Sequence, residues 1–380
     1  MYDRIFTPPK QSFFLFGPRG SGKSTLLKEL FPGAHFFNLL MERKFQTYLV
    51  NPEQFYNEVQ AIEAGTWIVV DEIQRLPELL NYVHQLIEEK KWKFILTGSS
   101  ARKLRRAGVN LLAGRALTKA LFPFVPFEIQ DDFDLNKCLR YGLLPLVLAE
   151  QDPEETLRSY VDTYLKQEIK EEALVKNLAG FSRFLAIAAI YHGQSLNVSN
   201  ISREAEVSRT TVQGFFEILE DTLIGYKLNA FMSKLRVRES KHPKFYFFDS
   251  GVVRALKNQS GEVDPSDAGS LLEGFILHTL RAYQSYHKAF DEIFYWQPAD
   301  SNTEVDFLIK KGSQFWAIEV KATTKVRPQD LKGLHAISDL KGLQKKILVY
   351  TGKERQRLKN DIEVMPVADF CNFLHKLNRA

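Results

Sequence analysis

Three groups of residues in this chain have the types and spacing of reaction centres. The first is Gly17-Pro18-Arg19-Gly20-Ser21-Gly22-Lys23-Ser24-Thr25, which spells G-x-x-x-x-G-K-S between an apolar run, Phe13–Phe16, and a helix-forming run, Leu26–Leu30. Strand, glycine-rich turn and helix are the context a phosphate-cradling loop requires. Gly17, Gly20 and Gly22 let successive backbone N–H groups converge on phosphate oxygens, and the helix start adds its positive dipole end. Lys23 is positioned to reach the β- and γ-phosphates and Ser24 to ligate Mg²⁺. The chain is therefore expected to bind ATP with Mg²⁺.

The second group extends the first. Thr66 to Ile73 is an apolar run ending in Asp71 and Glu72. An acid at the carboxyl end of a strand beside the P-loop strand suits Asp71 as a Mg²⁺ ligand, and leaves Glu72 to polarise the attacking water. Lys93 to Ser100 is another buried strand, and any of Thr97, Ser99 and Ser100 could contact the γ-phosphate or the lytic water. Arginines follow at 102, 105, 106 and 115. One inserted into a neighbouring subunit's site would neutralise transition-state charge, an effect of about 10³–10⁵ in rate. Arg115 is the preferred one.

The third group lies near the carboxyl end. Glu304 to Ile309 alternates as a strand, turns at Lys310-Lys311-Gly312-Ser313, and returns as Phe315 to Lys321. Glu319 and Lys321, two apart, share one strand face, and Asp306 on the neighbouring strand is expected to meet them. Two converging carboxylates suit a hard divalent cation, and a lysine beside them holds or activates water. Glu273 lies on a mainly apolar helical segment, Leu271 to Leu280.

These groups need several domains to position them, and 380 residues exceed one ordinary core. Hydrophobic residues at 44% and charged residues at 26% are those of a folded protein with a soluble surface. Two cysteines, Cys138 and Cys371, exclude a disulfide framework and fit a reducing cytoplasm. No uncharged apolar run is long enough to span a bilayer. A net charge of +5 permits nucleic-acid binding without arguing for it, so local clusters must carry that case. The two prolines Pro123 and Pro126 mark a boundary, followed by a mostly helical stretch whose clearest start is Asp152-Pro153-Glu154-Glu155. Ser199 to Leu219 has the arrangement of a helix-turn-helix, with Ala205 inside the first helix, Val207 in the turn and Ser208 capping the second. That second helix presents Arg209, Thr210 and Gln213 on one side and Val212, Phe215, Phe216 and Leu219 largely on the other. With a strand at Ile224–Phe231 it reads as a winged helix. DNA contact through Arg209 and Gln213 and protein contact alone are equally open. The basic stretch Lys234 to Lys244, including Arg236 and Arg238, leans toward phosphate.

The P-loop, Ile68-Val69-Val70-Asp71-Glu72, Leu96-Thr97-Gly98-Ser99-Ser100 and a later Gly-Arg together resemble the AAA+ ATPases. More narrowly, with Gly142-Leu143-Leu144-Pro145 and Tyr160 to Leu165, they resemble a bacterial and archaeal group whose C-terminal half is a domain of unknown function. The resemblance implies Walker A roles for Lys23 and Ser24, Walker B roles for Asp71 and Glu72, a sensor at Ser99 and an arginine finger at Arg115. It also implies a restraint on Glu72 by Asn38, and a ring of six subunits. The third group is similar to the PD-(D/E)XK nuclease fold, which implies Glu273 as helix acid, Asp306 and Glu319 as metal ligands and Lys321 as catalytic lysine. Val305 stands where that fold often has proline.

The expected fold is α/β and multidomain: a P-loop AAA+ core with a parallel sheet (1–123), a helical lid (124–180), a winged helix (181–240) and a restriction-endonuclease-like α/β domain (241–380). The expected function is ATP hydrolysis by a cytoplasmic ring acting on DNA, of branched or junction type by analogy with that nuclease fold. The alternative is a nucleotide-dependent switch or scaffold whose C-terminal domains bind partners without cleavage.

Overall fold

Five short strands, β1 (Phe13–Phe16), β2 (His35–Asn38), β3 (Trp67–Asp71), β4 (Lys93–Gly98) and β5 (Leu117–Ala120), build a parallel sheet in the order β2-β3-β4-β1-β5. In the computed structural model, residues 2–99, 102, 104, 112–165, 177–232, 242–298 and 303–377 are described. The central strands are apolar without alternation because both sheet faces are covered, and Phe13, Phe14, Leu15, Ile68, Val69, Val70, Phe94, Ile95 and Leu96 are all fully buried. Parallel pairing requires crossovers, supplied in part by α1 (Lys23–Leu30), α2 (Glu42–Val50), α3 (Glu53–Gln60) and α4 (Leu79–Lys90). Tyr48, Phe55, Val59, Leu79, Leu80, Val83 and Leu86 carry α2, α3 and α4 into the same core as Phe14 and Val70. One expectation is corrected: β3 does not neighbour the P-loop strand, because β4 lies between them. Apolar runs reveal buried strands but carry no record of their lateral order.

The described chain divides into two compact units, residues 4–123 with 221–224, and residues 2–3 with the remainder from Phe124 onward. The stretches read from sequence as lid, winged helix and C-terminal domain thus lie in one compact unit, apart from 221–224. Within it, the Asp152-Pro153 start opens a helix, Pro153–Ser159, in which Asp152 Oδ1 accepts the Glu155 N–H at 3.0 Å. Helices Leu178–Ile190, Val198–Glu204 and Arg209–Asp221 precede a small antiparallel sheet of β6 (Gln194–Ser195), β7 (Gly225–Leu228) and β8 (Lys244–Phe247), ordered β6-β8-β7. Ser208 Oγ accepts the Thr211 N–H at 3.1 Å, capping the last of these helices as its sequence indicates. Lys244–Phe247, near the start of the stretch read from sequence as the C-terminal domain, pairs with β6 and β7, a long-range choice its own residues do not encode.

The largest sheet has six strands in the order β13-β14-β12-β11-β10-β9. β9 (Glu292–Trp296), β10 (Val305–Lys311) and β11 (Gln314–Lys321) form an antiparallel meander, and β12 (Leu343–Tyr350) and β14 (Ile362–Pro366) add parallel strands, with β13 (Gln356–Leu358) at the edge. The 23-residue helix Pro265–His287 packs beside β11 and buries Leu271, Leu272, Phe275 and Ile276. Asp264 caps it by accepting the Ser266 N–H at 2.8 Å.

The Gly142-Leu143-Leu144-Pro145 motif has a structural explanation. Gly142 has φ 76° and ψ −163°, a region essentially reserved for glycine. A Cβ there would lie 1.9 Å from Asp249 Oδ1. The close approach lets Asp249 accept the Leu143 N–H at 2.7 Å and, at the start of helix Ser250–Leu256, the Val252 N–H at 3.1 Å. Burial pushes the Asp249 carboxyl up to about 6, against the pull of these backbone donors.

Candidate functional site

The P-loop leaves β1 at its carboxyl end and enters α1 through Gly22, whose left-handed backbone (φ 87°, ψ 21°) turns the chain into the helix. Gly17 passes so close to the strand edge that a Cβ would meet the Leu121 carbonyl at 2.4 Å. Lys23 is buried, and its Nζ donates to the Gly17 carbonyl at 2.7 Å and the Pro18 carbonyl at 3.2 Å. The ammonium therefore lies over its own loop, held by carbonyls that phosphate oxygens are equipped to replace. Ser21 Oγ is buried with no hydrogen-bond partner, an orphaned hydroxyl in a loop built for oxyanions.

Across from the loop stand the carboxyl ends of β3 and β4. Ser24 Oγ donates to Asp71 Oδ2 at 2.9 Å, so hydroxyl and carboxylate share one small volume. Both are hard oxygen donors of the kind Mg²⁺ prefers, and their side-by-side placement fits that ion. The other Asp71 oxygen accepts from Thr97 Oγ1, and that hydroxyl also accepts the Glu72 N–H at 3.3 Å. Of the hydroxyls left open by sequence, Thr97 is thus the one on Asp71. Ser99 contacts a different group, and Ser100 lies outside the described residues.

That group is Gln74. Its Nε2 donates to Glu72 Oε2 and to Ser99 Oγ, the latter at 3.3 Å, while its Oε1 is buried without a hydrogen-bond partner. Glu72 itself has a left-handed backbone, φ 59° and ψ 46°, which is uncommon away from glycine and fixes the carboxylate's departure from β3. Asn38, implied by resemblance as the restraint on Glu72, accepts the Leu40 N–H at 2.8 Å, and the amide on Glu72 is Gln74's. The spacing Asp71-Glu72-x-Gln74 carried this signal and sequence reading passed over it.

Arg115 precedes β5, whose first residue, Leu117, stands opposite Phe13 at the amino end of β1 and donates its N–H to the Ser12 carbonyl at 3.0 Å. The P-loop follows the opposite end of β1. Arg115 is thus at the sheet edge away from its own nucleotide loop, where its guanidinium pairs with Glu88.

In the second unit, Arg209 and Gln213 lie on the exposed side of their helix, opposite buried Val212, Phe215, Phe216 and Leu219. Lys234, Arg236 and Arg238 lie outside the described residues. Lys244, the last member of that basic stretch, is buried against carboxylates and unavailable to a phosphate backbone, which corrects the reading of it as a phosphate contact.

β10 and β11 bring Asp306, Glu319 and Lys321 together. Lys321 Nζ is 2.6 Å from Glu319 Oε1 and 3.8 Å from Asp306 Oδ2. Asp306 Oδ2 also accepts the Val320 N–H at 2.8 Å. Glu273 reaches the same centre from its helix and accepts from the Tyr246 hydroxyl at 3.0 Å. Burial first, then the charge of Asp306, pushes the carboxyls of Glu273 and Glu319 up to about 8. The nearby acids hold both Lys244 and Lys321 above the ordinary lysine value despite burial. Lys244 and Tyr246, both from β8, were not anticipated here, although their i, i+2 spacing puts them on one strand face. Among the described residues no group of three or more His, Cys, Asp or Glu is arranged to hold a metal ion.

The parallel sheet, P-loop and paired acids of the first unit define an AAA-like ATPase domain. Residues 9–130 match the family profile described as AAA domain, residues 132–263 one described as a domain of unknown function (DUF8612), and residues 268–370 another so described (DUF4143). An uncharacterized protein of Mycobacterium tuberculosis is 25% identical over 362 residues, covering 93% of this chain and 79% of its own. An uncharacterized protein of Methanocaldococcus jannaschii is 24% identical over 393 residues, covering 88% and 80% respectively. Among solved structures, the Walker-type ATPase of Pyrococcus abyssi is similar at 17% identity with a TM-score of 0.42, covering 64% of this chain and 90% of its own. Among the described residues, no helix is long and apolar enough to cross a membrane.

Proposed function

We propose that this chain is a cytoplasmic, ATP-hydrolysing AAA+ protein that assembles into a ring, of six subunits by resemblance, and acts on DNA through its accessory elements. The observation that carries the hydrolytic reading is the linked pair of contacts Ser24–Asp71 and Glu72–Gln74–Ser99 at the carboxyl ends of β3 and β4, facing the P-loop. Ser24 and Asp71 would hold Mg²⁺, which when bound neutralises phosphate charge. The loop N–H groups and the α1 terminus bind the phosphates, and Lys23 exchanges its loop carbonyls for phosphate oxygens. Glu72 orients and deprotonates the attacking water, and Ser99 senses the γ-phosphate. Arg115, remote from its own loop, serves the neighbouring subunit's nucleotide after parting from Glu88.

Gln74 is a positioning residue in this scheme. Its amide holds the Glu72 carboxylate until Ser99 is drawn to phosphate. A hydrogen bond to a charged group is worth about 1.5 kcal/mol, or roughly tenfold in an equilibrium. Gln74→Ala is accordingly expected to raise basal kcat about tenfold with little change in KM, and to flatten any activation by DNA. A fall in kcat with activation intact would show that the amide assists rather than restrains.

The DNA reading is supported by the exposed Arg209 and Gln213 on a capped second helix, and by the basic sequence that includes Lys234, Arg236 and Arg238. It is tested by ATP turnover with single-stranded, duplex and four-way DNA over a salt series. Stimulation that weakens steeply with salt is expected. Turnover indifferent to all three would leave the second reading, a nucleotide-dependent switch that binds protein partners. The two lysines among the carboxylates of the C-terminal acidic centre, Lys244 buried and Lys321 partly exposed, favour that second reading for this part of the chain.

A further inference from the structure

The C-terminal acidic centre has the residues of a divalent-cation site, yet two ammonium groups already stand among its carboxylates. We propose that Lys244 Nζ takes the place of the divalent cation there, so that the centre binds no metal ion and serves as an internal ionic clamp. The proposal is independent of the ATPase reading.

Lys244 does not belong to the six-stranded sheet. It comes from β8, where it pairs with Ser195 on one side and Leu228 on the other. Its side chain is 5% exposed, and Nζ donates to Glu304 Oε1 at 2.8 Å and lies 3.8 Å from Asp306 Oδ1. The ammonium stands 5.5 Å from the centroid of the Tyr295 ring, so an aromatic face adds to the carboxylates around it. A flexible surface lysine would swing away from an arriving ion. This one is fixed by a strand bonded on both edges.

A hard divalent cation needs several oxygens converging with free lone pairs. Asp306 has an ammonium group facing each of its carboxylate oxygens. Oδ1 faces Lys244, and Oδ2 accepts the Val320 N–H at 2.8 Å and faces Lys321 at 3.8 Å. Glu319 Oε1 is taken by Lys321 at 2.6 Å. Glu319 Oε2 is buried without a partner, but it lies toward Gly333, where a Cβ would be 3.2 Å away. Glu273 is engaged from β8 as well, by the Tyr246 hydroxyl.

β8 thus delivers an ammonium and a phenol, two residues apart, to the same cluster. The neighbouring chain is bonded to the large sheet too. Phe231 N–H donates to the Tyr295 carbonyl at 2.7 Å, Tyr295 N–H to the Asn229 carbonyl at 3.0 Å, and Tyr295 hydroxyl to the His242 carbonyl at 2.9 Å. The acids that would bind a metal in a nuclease instead fasten the small sheet to the large one.

Mn²⁺ binding to the nucleotide-free full chain, followed by electron paramagnetic resonance, tests this. Wild type and Asp306→Asn are expected to bind the same number of Mn²⁺ ions. Lys244→Met, a substitution of similar length without the charge, is expected to gain one site, which Lys244→Met combined with Asp306→Asn loses again. Thermal unfolding of each variant establishes that it is folded. A wild-type Mn²⁺ site that Asp306→Asn abolishes would overturn the proposal even if Lys244→Met does not fold. So would a folded Lys244→Met protein that gains no site.

Discussion

Glu72→Gln is expected to leave ATP binding nearly unchanged and to lower ATP turnover by about 10²–10⁴, the usual contribution of a positioned general base. Binding rests on groups this change does not touch: the N–H groups of the loop, the α1 terminus, Lys23, and Ser24 with Asp71. Glutamine keeps the length of glutamate and can still accept from Gln74, so the local fold is preserved. It cannot take a proton from water. A fluorescent ATP titration beside a phosphate-release assay separates the two effects. Equal losses in affinity and turnover would assign Glu72 to the fold of the β3 terminus, where its left-handed backbone already hints at constraint. The remedy for that ambiguity is Glu72→Asp, which keeps the base but shortens it, and should fall between wild type and glutamine.

The largest stability effect is expected at Gly142. Alanine there is forced into a glycine-only region, at about 1–3 kcal/mol, and its Cβ collides with the Asp249 carboxylate. Relieving the collision moves Asp249 away from the Leu143 and Val252 N–H groups, leaving buried donors that cost about 1–3 kcal/mol each when unpaired. A total loss of about 3–5 kcal/mol is expected in urea unfolding of the full chain, near the upper end for single substitutions. Gly214→Ala is the control. Gly214 lies within helix Arg209–Asp221 with nothing within 4 Å of an added Cβ, and alanine there should stabilise by up to about 1 kcal/mol. Similar effects at both positions would mean that the Gly142–Asp249 contact does not hold this region together.

The parts of the molecule that sequence conveys are those in which chemistry is contiguous. Residues 17–25 specify strand, turn and helix within one stretch, and the apolar run before Asp71-Glu72 marks a strand covered on both faces. The hairpin from Asp306 to Lys321 is equally local, since alternation and a glycine turn set its register. What escaped notice depends on distant pairing. The place of β4 between β1 and β3 is not written in any strand's own residues. Lys244 follows a basic stretch and looks like its last member, yet β8 pairs backward with β6 and turns that lysine toward Glu304 and Asp306. Gln74 was within reach, but a glutamine two residues after an acid has many ordinary roles. Only the approach of Ser99 across the sheet shows what its amide joins.

If the C-terminal acids form a clamp, the energy of ATP has to be expressed through binding surfaces rather than strand cleavage in this part of the chain. The exposed helix face bearing Arg209 and Gln213 then becomes the place to look for a partner. The proposed use of ATP energy rests on turnover at the P-loop site. The most direct measurement is the rate of phosphate release from ATP by the 380-residue chain with Mg²⁺, with Glu72→Gln in parallel at matched nucleotide occupancy. Mg²⁺-dependent release by the wild type, reduced about 10²-fold or more in Glu72→Gln, is the expected result. Release at the same rate from both proteins, or none from a wild type with ATP bound in the presence of Mg²⁺ and DNA, would contradict the account.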